Sequence, residues 1–207
     1  MNVTLIGVST TFARGFADWA VAAGHDLTVV GWNRASAEAS AEGVGARRSA
    51  GPSDPLRDSL IFLALPYVCL RPVLESYGGE LDGKVLVDLI VPFDLDTMEP
   101  IHPEAGSTAR EIALARPGAR VVKAFSPRFN PRLAGTLAAP QGANRRSNVL
   151  LAGGDDEAKR IVAQLFEASG LRASDVGPLR RARELEALGY LHVAVPQHLH
   201  AGIDAVE

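Results

Sequence analysis

Cysteine is nearly absent: Cys69 is the one example in 207 residues. No internal disulfide or cysteine-built zinc site can form around a single thiol, and its helical setting reads as a small buried hydrophobe rather than a nucleophile. A charge excess is missing too, since 21 basic and 24 acidic side chains leave a net charge of -3. That balance excludes the basic footprint expected of a nucleic-acid or anionic-membrane partner. Aromatic residues are only 6% of the chain. The longest apolar stretches, residues 60–65 and 85–91, have the length of strands and fall far short of the roughly 20 residues that cross a bilayer. The opening run Val3-Thr4-Leu5-Ile6-Gly7 has neither the basic start nor the long apolar segment of a secretory signal. With one cysteine, these features lead us to expect a cytoplasmic protein.

Hydrophobic residues make up 47% and charged ones 22%, at a mean hydropathy of +0.08, as in a globular chain. Glycine numbers 20 residues, above its usual share of about 7%. Apolar spacing predicts strands at 3–6, 27–30, 44–47 (a poor one), 59–65, 84–89, 120–124, 148–152 and 171–176. Helices are predicted at 11–23, 35–42, 68–76, 108–115, 155–169 and 180–193. Residues 126–144, rich in Pro and Gly, read as a loop. Strand and helix alternate throughout, without internal repeats. The expected fold is therefore α/β: a doubly wound, mostly parallel Rossmann-type sheet with a small C-terminal α/β addition. We expect one domain over 1–207, with a dinucleotide-binding core at 1–125 and the addition at 126–207. In such sheets ligands lie beyond the carboxyl ends of the strands, so the residues following each strand are the candidates.

The turn Gly7-Val8-Ser9-Thr10-Thr11-Phe12-Ala13 stands where that fold holds a pyrophosphate. Gly7 suits the tight turn and Ala13 the helix-on-strand contact. The middle glycine of the usual fingerprint is replaced by Thr10, whose bulk crowds the backbone while the hydroxyls of Ser9, Thr10 and Thr11 offer hydrogen bonds to phosphate. The end of the second strand carries Asn33 and Arg34 in place of the acid that favours NAD, a pair suited to a 2′-phosphate. Trp32 either flanks an adenine or packs on the following helix. Lys123 closes a strand and is the one candidate for proton transfer or phosphate contact. Arg180, Arg181 and Arg183 read as the solvated face of the last helix, partnered by Glu184 and Glu186. His198 and His200 lack a third ligand, so no metal is expected. The scarcity of acid–base groups favours chemistry carried by a cofactor.

Seven blocks in order, among them Val3-Thr4-Leu5-Ile6-Gly7, Ala22-Ala23-Gly24-His25-Asp26-Leu27, Ala64-Leu65-Pro66-Tyr67, Gly83-Lys84-Val85-Leu86-Val87-Asp88 and Val121-Val122-Lys123-Ala124-Phe125, resemble the NADPH-dependent coenzyme F420 reductases, or F420-dependent NADP oxidoreductases. The likeness covers nearly the whole chain, and the same fold serves as the NADPH-binding domain of membrane ferric reductases. The resemblance implies an oxidoreductase, commonly dimeric, that binds NADP(H) and passes hydride to or from F420 or a flavin-like acceptor. By position it implies Gly7, Ser9, Thr10, Thr11 and Phe12 at the pyrophosphate, Trp32, Asn33 and Arg34 at the 2′-phosphate, and Leu65 and Pro66 near the nicotinamide. Val91, Pro92, Ser126, Pro127 and Phe129 would meet the acceptor. Members carry glycine at the place of Thr10 and a Ser-Arg pair at the place of Trp32-Asn33. Two alternatives stay open: a reductase of a small imine or carbonyl, and a non-redox protein reusing the scaffold.

Overall fold

The computed structural model describes residues 1–7, 10–126, 129 and 148–203, with the backbone alone at residue 11 and at 193–203. Its strands are β1 (Asn2–Ile6), β2 (Asp26–Val30), β3 (Arg48–Ala50), β4 (Leu60–Leu63), β5 (Val85–Asp88), β6 (Arg120–Phe125), β7 (Asn148–Gly153) and β8 (Arg172–Gly177). They form one sheet in the order β3-β2-β1-β4-β5-β6-β7-β8. All neighbours run parallel except β6 and β7. The first six strands thus have the order of a doubly wound dinucleotide fold, whose switch point lies between β1 and β4.

Helices α1 (Thr11–Ala22), α2 (Arg34–Val44), α3 (Leu70–Tyr77), α4 (Thr108–Ala115), α5 (Asp156–Glu167) and α6 (Ala182–Ile203) connect and cover the strands. Local chemistry sets their ends. Asp155 caps α5 by accepting from the Ala158 amide, and Asp156 and Glu157 place negative charge at the positive end of its dipole. Gly24, at φ +76°, closes α1 with paired bonds from its own amide to Val21 O and from His25 to Ala20 O.

Each sheet face buries a separate core. Leu5, Val29 and Phe62 meet Phe16 of α1 and Phe166 of α5 on one side, while Ile61, Leu63 and Leu86 meet Leu74 of α3 and Ile112 of α4 on the other. The alternation of Ile61, Phe62 and Leu63 between the faces is the two-residue strand period at work. An aromatic cluster anchors the first face, with Phe16 and Phe62 centroids 4.3 Å apart. Each such buried ring contributes roughly 1.5–3 kcal/mol by area alone.

Three expectations need correcting. The poor strand at 44–47 is displaced to β3, because Val44 is buried as the last residue of α2 and Gly45, at φ +71°, ends that helix before the chain can extend. The last helix runs beyond residue 193, past Pro196, to Ile203. Glu186 is not a surface partner of the arginines: it is 5% exposed and faces inward.

Candidate cofactor site

Beyond the carboxyl ends of β1 and β2 lies an apolar cavity of about 190 Å³. Gly7, Trp32 and Leu65, all expected from the sequence, line it together with Gly31, Pro52 and the α3 residues Val73 and Tyr77. Gly7 is required there twice over. Its φ is +91°, and a Cβ would lie 2.8 Å from both Ala64 O and Leu65 Cβ. Gly31 is equally constrained, since a Cβ would come within 2.6 Å of the Ala37 amide. Side chains are excluded from both strand ends, which leaves the cavity floor as backbone.

Tyr77 carries the one polar atom in this lining that the fold leaves unanswered. The residue is 5% exposed, its hydroxyl is buried, and nothing among the described residues bonds to it. Burial, helped by the nearby carboxylates of Glu80 and Asp54, pushes its pKa up to about 12, so it stays a neutral donor. A buried unpaired hydroxyl costs about 1–3 kcal/mol. Tyr77→Phe is therefore expected to raise the unfolding free energy of the protein by about 1 kcal/mol. Chemical denaturation of the two proteins checks the sign.

The phosphate turn is built differently from the usual glycine loop. Thr10 is the N-cap of α1, accepting from the Ala13 amide at 3.1 Å and donating toward Ala64 O at 3.5 Å. The second contact is at the long limit of a hydrogen bond, so the hydroxyl hydrogen is held only weakly by Ala64 O. The first-turn amides of Thr11 and Phe12 precede the first intrahelical donor and remain for an anion. The Phe12 ring itself packs toward Phe125, at 6.4 Å. Ser9 lies outside the described residues, and Thr11 is described by its backbone alone.

At the end of β2, Asn33 caps α2: its side chain accepts from the Ser36 amide, and the Ser36 hydroxyl accepts from the Asn33 amide. This explains an amide in place of an acid without invoking a ligand. Arg34 opens α2, and Nη2 alone contacts both Asp54 oxygens, at 3.1 and 2.8 Å. Nε and Nη1 keep their donors. The guanidinium side chain is 63% exposed, and such surface pairs contribute about 0–1 kcal/mol, so Asp54 holds Arg34 only weakly.

The remaining expected residues divide. Pro66 begins a single 3₁₀ turn at Tyr67–Cys69 beside Leu65. Val91 packs near Gly189 of α6, where a Cβ would come within 2.7 Å of Val91 Cγ2, and Pro92 is buried beside it. Ser126 is buried, and its hydroxyl donates to Asn148 O at 3.0 Å. Pro127 lies outside the described residues. Phe129 belongs to the core: it is 1% exposed and stacks among Phe16, Trp19 and Phe166, with centroids 5.5–5.9 Å away. A ring so enclosed has no face left for an acceptor.

Lys123 is also turned inward, at 1% exposure. Nζ lies 3.0 Å from Asp88 Oδ2, 3.1 Å from Glu186 Oε1 and 3.1 Å from Thr108 Oγ1, and it donates to Ile90 O. All its donors are used inside the protein, which removes it as a proton donor to a bound ligand. Thr108 Oγ1 has one hydrogen yet touches Asp88 at 2.5 Å and Glu186 at 2.7 Å, so it donates to one of the two carboxyl groups at a time. Burial raises the Glu186 pKa and Asp88 adds to the rise, against the pull of Lys123. What the cluster holds is the chain at Ile90, whose amide donates to Asp88 Oδ1 and whose carbonyl accepts from Lys123. The residues just before Val91 and Pro92 are thereby fixed.

Among the described residues, no helix is long and apolar enough to cross a membrane, and no group of three or more His, Cys, Asp or Glu side chains could hold a metal ion. The side chains of His198 and His200 lie outside the described residues.

Sheet order, strand-end cavity and capped first turn define a doubly wound Rossmann-type fold. No family model matches the chain. It is similar to the F420-dependent NADP reductase of Methanocaldococcus jannaschii, 29% identical over 134 residues that cover 62% of this chain and 58% of the relative. It is similar as well to the metalloreductase STEAP3 of Rattus norvegicus, 37% identical over 116 residues, covering 56% of this chain and 22% of the relative. The chain thus spans less than two thirds of either curated relative. The resemblance to F420-dependent NADP reductases read from the sequence blocks agrees with the first of these. Among solved structures, an F420-dependent NADP-reductase candidate from Arthrobacter superposes with a TM-score of 0.76 at 23% identity, covering 96% of this chain and 94% of that one. An imine reductase from Myxococcus stipitatus in complex with NADP+ gives 0.64 at 20% identity, covering 98% and 63%. These two establish the fold.

Proposed function

We propose that the protein is an NADP(H)-dependent oxidoreductase that passes hydride between NADP(H) and coenzyme F420 or a flavin-like acceptor. The observation that carries the proposal is the cavity beyond β1 and β2, apolar, floored by Gly7 and Gly31, and lined by a tyrosine whose buried hydroxyl lacks a partner. In this assignment Gly7, Trp32, Leu65 and Tyr77 hold the adenosine end, the amides of Thr11 and Phe12 face the pyrophosphate, and Arg34 reads the 2′-phosphate. The nicotinamide, when bound, supplies the hydride. The protein's own part is to bind, to orient and to exclude water. Val91 and Pro92, held in place through Ile90, are assigned to the acceptor. The kinship with the M. jannaschii enzyme supports F420 as that acceptor. A cytoplasmic homodimer with no nucleic-acid or membrane partner completes the assignment.

The test is a stopped-flow mixture of protein, NADPH and oxidised F420. Loss of nicotinamide absorbance in step with reduction of the deazaflavin is expected. Turnover of a small imine or carbonyl with NADPH, without any change in F420, would assign the imine- or carbonyl-reductase alternative. Absence of both, with NADPH unbound, would leave a non-redox use of the scaffold.

A further inference from the structure

A second cleft, of about 420 Å³, shares no lining residue with the cofactor cavity. Arg110 from the first turn of α4 meets Arg180, Arg181 and Arg183 from the turn into α6, with Ser107 and Glu184 at the edge. The sequence predicts these last three as a solvated helix face balanced by Glu184 and Glu186. The structure withdraws half of that balance, because Glu186 is buried against Lys123. Glu184 pairs with Arg183 alone, at 3.1 Å, and among the described residues no carboxylate reaches Arg110, Arg180 or Arg181.

A chain of net charge -3 therefore gathers four arginines around one concavity, drawn from segments 70 residues apart, against the single carboxylate of Glu184, which faces Arg183 and Arg181. Like charges so placed repel, a cost that a bound anion would reverse. Guanidinium forks match the oxygens of phosphate and carboxylate groups, and several converging forks select for a ligand bearing more than one negative charge. We propose that this cleft binds a small multivalent anion, independently of the cofactor reading.

The test is calorimetric titration of the whole protein with pyrophosphate and, separately, with citrate. Saturable binding in the sub-millimolar range is expected, weakening steeply with added salt. The double variant R110Q/R181Q should lose affinity about tenfold or more, while its unfolding midpoint stays unchanged because both side chains are exposed. Tighter pyrophosphate would assign a phosphorylated ligand and tighter citrate a polycarboxylate; either upholds the site. Pyrophosphate affinity unchanged in the double variant would place the binding elsewhere, at the α1 turn, and overturn the proposal. So would acetate binding as tightly as either probe, or no heat up to about 10 mM.

Discussion

Lys123→Met is expected to destabilise the protein by about 3–5 kcal/mol, the largest effect of any single substitution considered. Methionine is one atom shorter than lysine and otherwise follows the same unbranched path, so little cavity forms. What is lost is the ammonium that answers Asp88, which is 0% exposed, and the donor that holds Ile90 O. A buried carboxylate left without its cation carries the full desolvation penalty. Glu186→Gln is the contrasting variant. Glutamine keeps an acceptor for the Thr108 amide, which Glu186 Oε1 receives at 3.0 Å, and needs no added proton. Its cost near neutral pH should stay within about 1 kcal/mol. The pH dependence follows from the raised pKa of Glu186. A carboxyl held above its ordinary 4.5 in the folded state binds its proton more tightly there than in the unfolded chain. That stabilisation is complete below about 4.5 and is lost as pH climbs through the folded value. The native protein should therefore lose stability over that climb, and E186Q should show a flatter profile. Urea midpoints measured across the range check both variants; an unchanged midpoint for K123M would refute the structural role of the cluster.

Arg34→Ala should weaken NADPH by about 10- to 100-fold while changing NADH by no more than about twofold, because the proposed ligand contact of the guanidinium is to the 2′-phosphate that NADH lacks. Asp54→Asn should act in the opposite sense. Releasing Nη2 from its carboxylate, and removing a negative charge from the phosphate's surroundings, should tighten NADPH severalfold without altering NADH. Fluorescence titrations with both cofactors separate the cases. Equal losses for NADPH and NADH in R34A would show that Arg34 supports the loop and does not read the phosphate.

Much of the architecture is legible in the residues because strands and helices announce themselves through periodicity. The run 60–63 is apolar on both faces, and α4 falls at 108–115 in pattern and structure alike. β3 is not legible: its three residues, Arg48–Ala50, are half-buried and carry no apolar alternation, so the neighbouring Val44 draws the expectation towards a helix end. The antiparallel turn of β7 against β6 is equally hidden, since local pattern carries no strand direction. In the site, glycines could be read from their places after strands. Tyr77 and Pro52 could not, because they reach the cavity from elements that bear no motif. Asn33 and Thr10 invite a ligand reading, yet both turn out to cap helices, a role that S/T/N residues before a helix always allow. Lys123 and Glu186, 63 positions apart, show why isolated charges mislead: only the fold reveals that they answer each other.

The account rests on the cavity beyond β1 and β2 being a dinucleotide site. Titrating the purified protein with NADPH, followed through nicotinamide fluorescence and through quenching of the 49% exposed Trp32 in the cavity wall, tests this most directly. Saturable binding in the micromolar range, weaker in R34A, is the expected result. Unchanged signals up to about millimolar NADPH would contradict it.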